Sequence, residues 1–251
     1  MRRAAVLAAI ATASAPGVAG GDPAPATPAI DAAAFVPGAF SPRVDGGWAQ
    51  LSSGYDSALS SLRASIALEA RLADRIAVRG AVIHTSRDDR QRPFVAVRAQ
   101  LLGQERHAVD GALILSYEPD GFREAEGKVS AGVQVGRRWS SPSIASLGEI
   151  TYSQDPEGDD RLIAAQAAAL AGAGTLAAGV AGRVRADLFS DDVRRVGRHE
   201  PDLEIAVGPV ATYAWRALVV AVQIGPSATV IDEVEGVRYG GFATGSVGAV
   251  F

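Results

Sequence analysis

The chain has 251 residues, 48% of them hydrophobic, with a formal net charge of −4 and no cysteine. The missing cysteine excludes disulfides, a thiolate metal site and a lipid-bearing cysteine, and the acidic balance argues against general nucleic-acid binding. Beyond the first twenty residues no run approaches the ~18 to 20 apolar residues of a membrane helix, so the hydrophobic content must follow another pattern.

Arg2 and Arg3 precede the mostly apolar stretch Ala4 to Ala13. That is signal-peptide length, and residues 1–20 are expected to be removed on export, with small residues at Val18, Ala19 and Gly20 or at Ala24 to Ala26 for cleavage. Their loss removes two arginines and no acid, which takes the net charge from −4 to −6. Residues 21–46 are rich in Ala and Pro and read as a flexible periplasmic leader, because proline cannot donate to a sheet ladder.

From Gly47 to Phe251 short segments alternate between apolar and polar positions. Twelve can be counted, at 47–53, 60–70, 75–84, 93–101, 108–117, 127–138, 144–152, 161–170, 175–188, 202–213, 217–225 and 240–251. Most have the length a tilted membrane strand needs, about 9 to 11 residues. The eighth, centred on Ala164 to Ala171, is so rich in alanine that propensity alone favours a helix. The connections alternate in length. A longer set lies at Gly54–Leu59, Thr85–Arg92, Glu118–Glu126, Ser153–Asp160, Phe189–Pro201 and Pro226–Tyr239, and a shorter set near Leu72–Asp74, Gly103–His107, Trp139–Ser143, Gly172–Gly174 and Ala214–Arg216. Bacterial barrels put short turns in the periplasm and long loops outside. The pattern therefore predicts an all-β, transmembrane, up-and-down antiparallel barrel over residues 47–251, of about twelve strands with ten as the lower count, and with both termini periplasmic.

One phase of these segments carries no charge: Leu62, Ile66 and Leu68; Ile76, Val78 and Val82; Val95, Val97 and Leu101; Val109, Leu113 and Leu115; Val129, Val133 and Val135; Leu218, Val220, Val222 and Ile224. The other carries Arg63, Glu69, Arg75, Arg79, Arg98, Asp110, Lys128, Gln134, Arg183, Arg185 and Glu204. An Arg or Lys facing the hydrocarbon midplane costs ~2 to 4 kcal/mol, so the charged phase must face the lumen. Aromatic girdle positions are expected at Tyr117 and Tyr152 on the outer strand ends, and at Trp139, Tyr213 and Phe251 on the periplasmic ends.

Through its export signal, alternating strands and terminal Phe251, the chain resembles the outer-membrane β-barrel proteins of Gram-negative bacteria. It is also similar to an uncharacterised group of exported barrels in the stretch His107 to Phe122, in the triplet Gly136, Arg137 and Arg138, and in Gln154 to Gly158. The resemblance implies residence in the outer membrane among lipid and lipopolysaccharide, insertion by the barrel-assembly machinery with Phe251 as the sorting feature, and no established activity.

Folding each hairpin about its turn sets Glu69 opposite Arg75, Arg79 near Arg98 and Arg98 near Asp110, a charged ladder to which Arg183 and Arg185 add further lumenal charge. The facing wall reads as small: Ala165, Ala167, Ala169, Gly179, Ala181, Ser246 and Gly248. Such a lumen is either a constriction favouring small anionic or zwitterionic solutes or a salt-bridge network that stiffens the interior. His84 with Ser86, and His199 with Asp191 or Asp192, are the pairs a rim hydrolase would use, but no spacing motif supports them. The acid clusters Asp155–Asp160 and Asp232–Glu235 could bind calcium or bridge cations to lipopolysaccharide phosphates, but the first lacks the full EF-hand pattern, both read as solvated loop acids, and no metal or cofactor site is expected. The reading is a monomeric passive pore with a charged lumen. Its rival is a closed structural barrel whose outer loops meet lipopolysaccharide or a partner, followed at a distance by a barrel enzyme.

Overall fold

The computed structural model describes residues 27–31, 36–40, 47–73, 75–86, 89–103, 106–123, 126–140, 143–156, 161–173, 175–189, 203–230 and 237–250. Two short strands come first, β1 (Thr27–Asp31) and β2 (Val36–Phe40), paired antiparallel within the segment expected to be a flexible leader. Twelve longer strands follow: β3 (Gly47–Asp56), β4 (Ser61–Ala73), β5 (Ile76–Thr85), β6 (Arg90–Leu102), β7 (Asp110–Pro119), β8 (Gly127–Ser140), β9 (Ser143–Gln154), β10 (Arg161–Ala173), β11 (Leu176–Phe189), β12 (Leu203–Trp215), β13 (Leu218–Val230) and β14 (Val237–Val250). Each of the twelve expected segments is a strand. The eighth, β10, overrides its alanine propensity because it is clamped between β9 and β11 along its length.

Every barrel strand pairs antiparallel with its sequence neighbours, and β14 closes the sheet on β3 from Phe242 opposite Asp56 to Val250 opposite Trp48. Closure satisfies the backbone groups that an open edge would leave bare in lipid. The barrel begins at Gly47 and ends at Val250 on the same rim as the tight turns after β4, β8, β10 and β12, which is the periplasmic rim in bacterial barrels. Arg216 closes the last of these turns with φ 54°.

Burial follows the predicted alternation. Leu62, Ile66, Leu68, Val95, Val97, Leu113, Leu115, Val129, Val133, Val222 and Ile224 are exposed on the outer wall, while their neighbours turn inward. The small-wall expectation is corrected on β10. Gln166, Ala168 and Leu170 are the buried, inward residues, and Ala167 and Ala169 are exposed outside. Register sets this phase, since Ala168 stands between the inward Ala181 and Leu147. Gly179, Ala181, Ser246 and Gly248 do lie on the inward phase.

Candidate functional site

The lumen carries two charged tiers. Inward positions of β3 to β6 build the lower one, where Arg98 Nη2 lies 2.7 Å from Glu69 Oε1 and Arg79 Nη2 donates to Gln50 Oε1 at 3.4 Å. Each of these side chains reaches over one intervening strand, β5 for the first and β4 for the second, so the tier is stitched diagonally. From the far side, Glu149 on β9 accepts from Gln134 Nε2 at 3.1 Å, and its charge, with those of Glu69 and Arg79, acts on Arg98.

The upper tier is centred on Asp56 and Arg183. Asp56 ends β3 on the inward phase, and its Oδ1 accepts from Ser227 Oγ at 2.7 Å and from the Ala58 amide at 3.0 Å. Its Oδ2 lies 3.4 Å from Arg183 Nη2, on a strand separated from β3 by β12, β13 and β14. The pair therefore crosses the lumen. The Arg183 guanidinium also sits 5.6 Å from the centre of the Phe242 ring. Arg185 meets Glu204 at 3.6 Å and Arg92 meets Glu118 at 3.6 Å. Arg63, Arg92, Lys128 and Arg185 all act on Glu118, and Arg63, Arg185, Asp56 and Glu204 on Arg183, while Asp155, buried just past β9, and Asp187, on the inward phase of β11, add carboxylates toward the same end. A small pocket lined by Asp56, Ser61, Arg63, Phe242 and Thr244 has room for about one water.

The expected ladder is thus brought together only in part. Glu69, Arg79 and Arg98 share one tier, and Arg183 and Arg185 belong to the other. The structure places Arg75 in the turn after β4, exposed at the periplasmic mouth, and Glu69 is opposite Arg79 instead. Arg98 stands opposite Ile114, while Asp110 starts β7 four residues nearer the periplasm, opposite Gly136. The offsets have local causes: register shifts at Arg71/Ala73 and Gln100/Leu102, and a seven-residue connection between β6 and β7. Sequence reasoning missed Asp56, which it left in a loop, and Glu149, which the phase of the seventh segment would have revealed.

Tyr152 and Tyr213 are exposed on the outer wall, Tyr117 is half-buried on the same phase, and Trp139 is exposed near the end of β8. Tyr55, Tyr239 and Trp215 join them as exposed aromatics. At the periplasmic rim two arginines stack on tryptophans, Arg137 at 4.9 Å from the Trp139 ring centre and Arg216 at 5.0 Å from Trp215. The stacks let charged heads reach the interface beside the girdle. His84 lies on the outward phase of β5, and the Ser86 hydroxyl accepts from the Leu62 amide at 2.8 Å. His199, Asp191, Asp192, Asp232, Glu235 and Phe251 lie outside the described residues.

No protein-family model matches the chain, and no curated protein matches it. Solved structures with a similar fold include the NanC porin, with a TM-score of 0.57 at 8% identity over 81% of this chain and 99% of that one. The KdgM porin gives 0.54 at 7% identity over 81% and 99%. LpxR from Salmonella typhimurium gives 0.51 at 7% identity over 81% and 100%. The chain has the fold of the bacterial outer-membrane β-barrels. Its charge-free, apolar mid-wall, flanked by aromatics at the strand ends, suits a lipid bilayer.

Proposed function

We propose that the protein is a passive outer-membrane pore for small solutes, with anionic and zwitterionic solutes favoured by its charged lumen. The observation that carries this reading is the pair of charged tiers inside the closed barrel, which presents guanidinium and carboxylate groups at two levels of the inner wall. The likeness of the fold to two porins supports it. The gathering of Arg63, Arg92, Lys128, Arg183 and Arg185 in the upper tier gives the direction of the preference.

The cross-lumen pair of Asp56 and Arg183 favours a second reading, a closed barrel held shut by its own side chains and meeting lipopolysaccharide or a partner through its outer loops. Conductance of the purified, folded protein in planar bilayers, with reversal potentials measured across a salt gradient, separates the two. The pore reading expects discrete conductance steps with anions preferred. A silent bilayer containing verified folded barrel supports the closed reading instead.

A further inference from the structure

The lumen wall is not polar throughout. In its periplasmic half the arc from β9 through β14 to β3 turns Leu147, Leu170, Ala181, Val210, Ala221 and Trp48 inward, none more than 7% exposed, with the polar Thr212, Gln223 and Ser246 set among them. Four of the apolar residues belong to strands whose outer halves carry Gln166, Arg183, Glu204 and Ser227, so the change from polar or charged to apolar occurs along single strands. An apolar arc facing a water-filled channel leaves its hydrophobic area unburied, and Ala181 at 1% and Val210 at 2% are already screened from solvent. Part of that screening is mutual, since Ala168, Leu170, Ala177, Ala181 and Val210 form one buried cluster and Gln223 Nε2 donates to the Ala181 carbonyl at 2.9 Å, which leaves the lumenal side of the cluster for a cover.

The hairpin of β1 and β2 stands where the cover is needed. Cα atoms of β1 come within 8 Å of β9 and β10, and those of β2 come within 8 Å of β13, β14 and β3. In the wall these two groups are separated by β11 and β12. Two paired strands are only ~5 Å apart, so one hairpin reaches both groups from the concave side and not from the convex one. The sequences of β1 and β2, Thr-Pro-Ala-Ile-Asp and Val-Pro-Gly-Ala-Phe, hold a single charge at Asp31. The six residues from Ser41 to Gly46 reach at most ~20 Å, which tethers the hairpin to the periplasmic mouth where β3 begins.

We infer that the leader strands Thr27–Asp31 and Val36–Phe40 dock inside the barrel against this apolar arc, as an internal plug contributed by the chain itself. The tether makes docking intramolecular, at a high effective concentration, so modest apolar contact is enough to hold it. The inference goes beyond the pore reading, since a plug narrows a channel and equally fills a closed barrel.

The chain has no cysteine, so Ala181→Cys creates one thiol on the covered arc. Its modification by a small water-soluble methanethiosulfonate is compared in the folded exported chain and in the same chain lacking residues 22–43, with Gly121→Cys at an outer loop as control. Docking expects modification at least tenfold faster in the deletion, with the control unchanged. Equal rates overturn it. Should the deletion fail to assemble, Ile30→Asp with Phe40→Asp keeps the leader but makes it too polar for the arc, and the same acceleration is expected. Bilayer conductance of the deletion tests the pore reading separately: a larger step is expected if the barrel conducts, and silence of both chains counts against the pore while the labelling still decides the docking.

Discussion

The indole of Trp48 lies against Gly248 across the seam that closes the barrel, so near that a Cβ at position 248 would overlap its six-membered ring. Trp48 is buried, and its Nε1 points to Gln50 Oε1 at 3.5 Å. The first and last barrel strands are thus locked by an aromatic on one and the absence of a side chain on the other. Gly248→Val should force the ring out of its place at a cost of ~1 to 3 kcal/mol, as overpacking does. The expected result is a lower temperature for the heat-induced shift on gels, together with red-shifted tryptophan emission. Trp48→Ala combined with Gly248→Val should recover part of the loss. A Gly248→Val barrel with unaltered heat stability and emission would show that the seam does not depend on this contact.

Asp56 and Arg183 make a second such lock, this time across the lumen. Both are largely buried, and Asp56 also takes the Ser227 hydroxyl and the Ala58 amide. Removing one partner of a buried pair leaves a charge without its partner and costs about 3 kcal/mol. Asp56→Ala should therefore destabilise the barrel in urea unfolding from detergent or bilayers, and Asp56→Asn with Arg183→Gln should cost markedly less than Asp56→Ala alone. Equal losses in the two would mean that the ionic component is not what holds the strands.

Most of the barrel was legible because lipid imposes a strict rule on alternate residues, and strands such as β4 and β13 obey it with Leu, Ile and Val on one face. Where the rule had nothing to sort, it failed. On β10 seven of thirteen residues are alanine, which fits either face, and the phase was fixed only by the pairing of Ala168 with Ala181 and Leu147. The lumenal pairing was harder still. A register shift of one or two residues in a turn moves a charged partner by ~3 to 7 Å, and no hydrophobic signal reports it. The β1–β2 hairpin was invisible for a related reason, since Pro28 and Pro37 argue against strands by themselves.

The corrected phase of β10 can be tested directly. Ala167 is the central residue of the strand and faces outward, whereas Gln166 faces the lumen beside Glu149 and Arg183. Ala167→Arg should cost ~2 to 4 kcal/mol and reduce the yield of assembled barrel. Gln166→Lys should assemble normally, because its charge enters a polar interior where the Glu149 carboxylate on one side offsets the Arg183 guanidinium on the other. The opposite pattern would restore the phase expected from sequence.

Orientation rests on the shared rim of Gly47, Val250 and the tight turns. A cysteine at Gly121, in the connection after β7, should react with impermeant reagents on intact cells, and one at Ala173, beside the tight turn after β10, should react only after the outer membrane is permeabilised. Labelling of Ala173→Cys but not Gly121→Cys on intact cells would invert the barrel.

The lower tier offers the sharpest test of what the lumen does to a solute. Arg79 and Arg98 are held there by Gln50 and Glu69, with Glu149 opposite, so two cations face two carboxylates around one level of the channel. Replacing both arginines by alanine leaves Glu69 and Glu149 without those cations. A charge ~5 Å from a passing ion acts with roughly 1 to 2 kcal/mol at an intermediate effective dielectric, and salt screens part of it. Arg79→Ala with Arg98→Ala should thus move the reversal potential toward cations by a several-fold change in permeability ratio, and Glu69→Gln with Glu149→Gln should move it the other way. Neither pair faces lipid, so assembly should be retained in both. If both variants conduct with the parental selectivity, ions do not pass close to this tier, and selection then falls to the upper tier, where Arg183 and Arg185 become the residues to change.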